Sequence, residues 1–250
     1  MSPFDKLRMT SNFICSMPQI ETVYSPSLIE HYSLSGKTVV VVDILRATTS
    51  MCVAFAHGIT HIIPLVSIYE TFLYKPQNYI TAGERNGQKV DGFEKGNSPF
   101  DFMDDEIKGK PLAITTTNGT QAIHASLLAE NVYIGAFVNL QAVANKLVAE
   151  QKDIIILCAG WKNKFNLEDT LFAGALAELL YNSGFEMNDD ASIAAQTLYN
   201  TAQNDLTTFI KKSAHAQRFE RMGIEKDIDF CMQLDIYDFV PKYVDGKIVV

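Results

Sequence analysis

The sequence predicts an α/β protein of three layers, α/β/α, on a largely parallel or mixed sheet with a C-terminal helical region packed on it. Three observations carry this. Between residues 38 and 184, short apolar β-prone runs alternate with stretches of helical period. One of those runs holds four consecutive valines, Val39 to Val42, a pattern that suits a strand covered on both faces. Past Gly184 the character changes, and residues 190–202, 206–213 and 215–222 read as consecutive helices.

Residues 1–20 lack periodicity and are expected to be loosely structured. Residues 21–250 are expected to form one α/β domain, with room for two subdomains but no linker rich in Gly, Ser or Pro between them. A short strand is expected at 22–24 and a short helix at 27–32. The strand at 37–45 leads into a helix with Ala47, Met51, Ala54 and Phe55 at helical spacing, stopping near Gly58. Strands follow at 60–66 and 79–82, with a short helix at 68–73 between them. Residues 88–99 are polar and glycine-rich. A loop of that length inside a domain is usually functional or disordered, and its mixture of Gly, Asn, Asp and aromatics favours order.

Residues 111–114 are the next strand. After Gly119 the residues Ala122, Ile123, Ser126, Leu127 and Leu128 take helical spacing, so a helix starts at or near Thr120. A strand at 131–134, a helix at 140–149 and a strand at 153–157 follow. A polar loop then leads to a long helix opened by Glu168 and Asp169. A last strand is expected at 247–250.

The chain of 250 residues is 47% hydrophobic and 20% charged, an ordinary globular composition. Its net charge of −8 argues against a broad nucleic-acid-binding face. No run approaches the roughly 18 apolar residues of a membrane span, and the N-terminus lacks a signal-type apolar core. Cys15, Cys52, Cys158 and Cys231 are too far apart for a paired zinc motif. Three lie in apolar runs, which suggests buried free thiols and a reducing cytoplasm.

Strand, glycine-bearing turn and helix start, as in Thr115, Thr116, Thr117, Asn118, Gly119 and Thr120, form the local geometry that binds phosphate. Helix capping by a threonine is the competing reading. The stretch is not a P-loop, because the Lys-Ser/Thr pair is missing. Asp43 follows the four valines, and an acid there needs a partner or a task. It either caps locally and pairs with Arg46, or serves a metal or phosphate site at the carboxyl end of its strand. Glu84 and Arg85 are a surface pair or part of the same site. Glu168 and Asp169 either answer the helix dipole or join it.

The stretches VVVVDILRATTS (39–50), AGERNG (82–87), DGFEKGNSPFDF (91–102), TTTNGT (115–120), Cys158-Ala159-Gly160 and EDTLFAGAL (168–176) occur in this order. Together they resemble the 2-phosphosulfolactate phosphatase family, magnesium-dependent acid phosphatases of coenzyme M biosynthesis. The resemblance continues through His215-Ala216, the Asp227 region and Val240-Pro241. It implies hydrolysis of a small, multiply anionic 2-phospho acid, with 2-phospho-3-sulfolactate first, by a cytoplasmic enzyme that binds neither nucleic acid nor membrane. A homodimer is compatible with it.

On the matching positions, Asp43, Glu84, Glu168 and Asp169 are hard oxygen ligands suited to Mg²⁺. Asp43, Arg46, Glu84 and Arg85 form the expected catalytic set, the arginines gripping phosphate or a second acid. Asn97, Thr116, Thr117, Asn118, Gly119 and Thr120 form the substrate-binding set. Leu45 stands where an Asp-x-Asp phosphatase has its second acid, so that mechanism is not borrowed. Asp43 is then a metal ligand with water attacking in line, or a nucleophile assisted by another acid. The first is favoured. A non-catalytic sensor of phosphorylated metabolites is the rival reading.

Overall fold

The structure, a computed structural model, describes residues 17–250. Of the segment expected to be loose, residues 1–16, with Cys15, lie outside the described residues. Gln19 and Ile20 already belong to strand β1 (Gln19–Val23), three residues earlier than expected, because the strand pairs in parallel with a buried neighbour.

Strand β2 (Thr38–Val42) is buried along its whole length. Val40 and Val42 enter one core while Val39 and Val41 enter the other, so the valine run faces apolar layers on both sides. It is followed by α1 (Ala47–Ala56), β3 (Ile62–Leu65), α2 (Ile68–Phe72), β4 (Ile80–Arg85) and β5 (Gln88–Lys89). Next come β6 (Leu112–Thr115), α3 (Gly119–Ala125), β7 (Asn131–Gly135), α4 (Leu140–Glu150), β8 (Ile154–Cys158) and α5 (Leu167–Tyr181). The remainder is β9 (Glu186–Met187), α6 (Asp190–Ala202), α7 (Leu206–Ile210), α8 (Ala214–Arg221), α9 (Lys226–Cys231), β10 (Lys242–Val244) and β11 (Lys247–Val249). The expected helix at 27–32 is a 3₁₀ turn, Pro26–His31.

All eleven strands join one sheet in the order β5-β4-β6-β3-β11-β10-β7-β2-β8-β1-β9. It consists of two parallel blocks. β7, β2, β8, β1 and β9 form one, and β4, β6 and β3 the other. The hairpin β10–β11 joins them, antiparallel to both, through one residue pair on each side: Lys242 with Tyr133 and Ile248 with Ile62. Its turn, Asp245-Gly246, has positive φ at both residues, the conformation of a tight hairpin. A second such turn, Asn86-Gly87, pairs β5 with β4. The polar loop after it is ordered by a capping box at Ser98 and Asp101.

Helices α4 and α5 fill one core together with apolar residues of the C-terminal helices, and α1 and α3 the other. Helix α6 lies directly on α5. A Cβ on Gly174 would stand 2.1 Å from the Ala195 carbonyl, so only glycine allows this approach. The C-terminal helices therefore pack as expected. Cys52, Cys158 and Cys231 are buried and free. Among the described residues, no helix is long and apolar enough to cross a membrane.

Candidate active site

Parallel strands present their carboxyl ends along one edge, and the candidate residues gather there. Asp43 follows β2, Thr116 to Gly119 follow β6, and Trp161 follows β8. In the sheet, β3, β11, β10 and β7 lie between β2 and β6. A flat sheet would hold the two ends about 24 Å apart. They meet nonetheless, at the segment that follows β6. Gly119 marks the contact. A Cβ there would lie 2.6 Å from the Ala47 Cβ and 2.8 Å from Asp43 Oδ2. Glycine at 119 is thus required by the protein's own packing, before any ligand is considered.

Asp43 is buried. Its Oδ1 accepts from the Ala47 N–H at 3.3 Å, so the capping reading is realised by one oxygen. Oδ2 accepts from no described residue. Burial pushes the carboxyl up from 3.8 to about 7, and the neighbouring acids Glu84 and Glu168 push the same way, against the Ala47 N–H and His215. The sign for stability follows. Between those values the folded protein keeps a proton that the unfolded chain releases. The contribution is full below 3.8 and is lost as pH rises through about 7. In chelator, the Tm of the wild type should therefore fall relative to Asp43→Asn between pH 3.8 and about pH 7. A divalent cation at Asp43 should erase that fall. Parallel Tm curves for the two proteins would count against the strained carboxyl.

Glu84 is buried at the end of β4. Its Oε1 accepts from the Thr117 N–H at 2.8 Å and its Oε2 from the Gly87 N–H at 2.6 Å. It thereby ties the Asn-Gly hairpin to the threonine turn. Arg85, expected beside it as a phosphate fork, is turned out of the pocket. β4 runs through Arg85, and neighbouring residues in a strand face opposite ways. The Arg85 guanidinium instead donates to the Glu84 carbonyl at 2.7 Å, to Thr115 Oγ1 at 3.0 Å and to the Val66 carbonyl at 3.4 Å. It latches strand ends together.

Arg46 lines the pocket with Asp43 and Glu84, but it is not paired with Asp43. It forms a buried ion pair with Asp227 of α9 and donates to the Gly87 carbonyl at 3.3 Å. Asp227 also accepts from Ser98 Oγ at 3.0 Å.

The Thr-Asn-Gly turn is largely occupied by its own bonds. The Thr116 N–H donates to Thr120 Oγ1 at 3.2 Å, and the Thr120 N–H to Thr116 Oγ1 at 3.1 Å. The Thr117 N–H is held by Glu84. Of the expected cradle, the Asn118 and Gly119 N–H groups donate to no described residue. Asn118 Oδ1 accepts from the Lys162 N–H at 3.2 Å, linking the two sheet blocks. Asn97 lines the pocket, and its Oδ1 is buried without a partner.

Glu168 and Asp169 differ. Both Asp169 oxygens are engaged: Oδ1 accepts from the Ile44 N–H at 2.8 Å, and Oδ2 from the Gly160 N–H at 3.0 Å and Asn166 Nδ2 at 2.9 Å. Burial, then Glu168 and Asp43, push its carboxyl well up. It clamps the segment after β2 to the end of β8. Glu168 accepts from Asn166 Nδ2 at 3.0 Å and meets His215 Nδ1 at 2.5 Å, while its Oε2 is buried with no partner.

Among the described residues, no three His, Cys, Asp or Glu side chains converge to hold a metal ion. The expected four-carboxylate ligand set is thus not a preformed cluster. The donors left over still fit a hard cation of the Mg²⁺ kind, which takes one or two carboxylates and keeps waters for the rest. Asp43 Oδ2 and Glu168 Oε2 are the carboxylate oxygens without protein donors.

Three residues of α8 went unassigned in the sequence. His215 and Arg218 line the pocket, and Phe219 carries the Arg46 guanidinium 5.1 Å from its ring centre. Their spacing at i, i+3 and i+4 on one helical face was the available signal.

Comparison with known proteins gives the class to which the chain belongs. The class is that of the phosphatases, hydrolases of phosphoric monoesters. The chain belongs to the 2-phosphosulpholactate phosphatase family, whose sequence pattern matches residues 23–246. It is 37% identical over 231 residues to a probable 2-phosphosulfolactate phosphatase of Caldanaerobacter subterraneus subsp. tengcongensis, covering 91% of this chain and 96% of that one. A Clostridium novyi protein of the same description is 37% identical over 234 residues, 92% of this chain and 99% of its own. One from Thermotoga maritima is 38% identical over 215 residues, 85% of this chain and 92% of its own.

Proposed function

We propose that this pocket hydrolyses a small, multiply anionic 2-phospho acid, 2-phospho-3-sulfolactate before others, to 3-sulfolactate and phosphate with Mg²⁺ bound. Asp43 carries the reading. It is a buried acid at the carboxyl end of a parallel strand, with one oxygen free of protein donors and other acids beside it. Such a group repels a phosphate dianion unless a cation stands between them. Asp43 would hold Mg²⁺, with the open oxygen of Glu168 as a further candidate. When bound, the ion supplies charge neutralisation at the phosphoryl group. The relatives, probable 2-phosphosulfolactate phosphatases, support the choice of substrate.

The protein's own groups do the rest. The Asn118 and Gly119 N–H groups donate to phosphoryl oxygens, where negative charge concentrates. Arg46, fixed by Asp227, holds a guanidinium over the same space. Asn97 Oδ1 accepts from the attacking water. His215, with Nδ1 on Glu168, keeps Nε2 to take the water's proton and return it to the leaving oxygen. The ester P–O bond breaks as the new one forms. The test is phosphate release from 2-phospho-3-sulfolactate in Mg²⁺ and in chelator. Release is expected only with the ion. Equal rates in both would remove the metal from this reading, and binding without release would favour the sensor.

A further inference from the structure

Beside the catalytic pocket lies a cavity of about 390 Å³. Trp161, Phe165, Leu167 and Ala214 give it apolar walls, and it shares Trp161, His215 and Arg218 with the pocket. It is therefore an extension of the same space, and its polar content differs from that of the phosphate end. The cation it offers is Arg218. The guanidinium lies over the Trp161 indole, Cζ 3.9 Å from the ring centre, so its position is supported before any ligand arrives.

The other two arginines of the region already have protein partners. Arg46 is bonded to Asp227 and Gly87, and Arg85 to Glu84, Val66 and Thr115. Arg218 has neither a hydrogen bond nor an ion pair with any described residue, and its Nε is buried without a partner. Glu84 and Glu168 act on it only as nearby charges. A buried guanidinium donor left open is costly unless something else completes it. The guanidinium carries paired N–H donors that match two oxygens of a carboxylate or sulfonate.

We propose that Arg218, held over Trp161, reads a second oxyanion at the end of the substrate remote from the phosphate, and so selects phospho acids that carry one. This deepens the proposed function and rests on it. The apolar walls exclude water from the fork, which strengthens its bonds to an anion. A neutral terminus would leave the guanidinium donors unpaired, so discrimination comes from a penalty as well as a contact.

The test compares three 2-phospho acids that differ at the terminal carbon, which bears sulfonate, carboxylate or methyl. The readout is kcat/KM of each oxyanion compound divided by that of the methyl compound, measured in wild type and in Arg218→Gln. The ratio should drop about 10- to 100-fold in the variant for both oxyanions. Arg218→Lys, which keeps the charge but loses the fork, should fall between. A drop for sulfonate alone or carboxylate alone identifies the oxyanion read and supports the assignment. An equal loss on all three compounds would overturn it, because Arg218 would then serve the phosphate or the fold. If Arg218→Gln does not fold, Trp161→Leu takes its place, and an unchanged ratio there overturns the role of the stack. A folded wild type that hydrolyses none of the three compounds overturns the phospho-acid reading itself, and this proposal falls with it.

Discussion

Asp43→Asn should leave a folded protein that releases phosphate at about one-thousandth of the wild-type rate or less. The two halves of this expectation have separate grounds. The amide keeps the size and can still meet the Ala47 N–H through its oxygen, so the start of α1 is retained. Removing an acid whose ionisation burial and Glu84 resist should also relieve the folded state above about pH 7. What the amide cannot do is bear a negative charge toward a cation. The checks are kcat and KM at saturating Mg²⁺, beside a thermal melt. A variant as active as wild type would show that Asp43 is a helix cap and no more. A variant that fails to fold would point instead to its contact with Gly119 and Ala47.

The second large effect concerns stability. Asp227→Ala should cost about 3–5 kcal/mol, because it strands the buried Arg46 guanidinium without its counter-charge. Asp227 holds Arg46 from the segment after β2 and Ser98 from the loop after β5, and it sits on the buried face of α9. Its loss unties three segments at once. A urea midpoint lowered at unchanged slope is the expected signature. The double variant Arg46→Met, Asp227→Ala should recover much of the stability, since no orphan charge remains, while activity stays low. Equal destabilisation of the single and double variants would assign the cost to packing rather than charge. Gly119→Val, in contrast, is a poor probe of phosphate approach. Its side chain would collide with Ala47 and Asp43 in the absence of any ligand.

The legible parts of this molecule are those in which neighbours in sequence are neighbours in space. The valine run, the acid after it and the threonine turn before a helix follow from local rules, and Asp43 and Gly119 come from such stretches, whereas Glu84 and Asn97 enter only through the family resemblance. Arg85 failed by one strand period. With β4 expected to end at Ala82, Glu84 and Arg85 read as loop residues free to point together, whereas the strand continues to Arg85 and separates them. The signal lay in Asn86-Gly87, a hairpin turn that keeps its flanks extended. Asp245-Gly246 is the same signal, and it marks the β10 strand that hydropathy alone left out.

The C-terminal contribution to the site was illegible for a different reason. His215, Arg218 and Asp227 reach the pocket from helices whose sequence shows only amphipathic faces. Nothing local says that one of those faces meets Arg46, Trp161 and Glu168 across long stretches of chain. Asp169 looked like a ligand because it is an acid at a strand's end. Its oxygens turn out to be committed to backbone N–H groups on two neighbouring segments.

The hairpin that splices the two parallel blocks has a consequence for how the protein comes into being. A ribosome makes β3 and β7 long before β10 and β11, so during synthesis both must wait with one edge bare. β7 is buried throughout and β3 at alternate residues, and apart from Pro64 in β3 neither carries the lysines or prolines that usually blunt an edge. The nascent chain therefore passes through a stage at which it can pair with another copy of itself. Chaperone demand and expression yield should track the speed with which that late hairpin docks, more than the stability of either block.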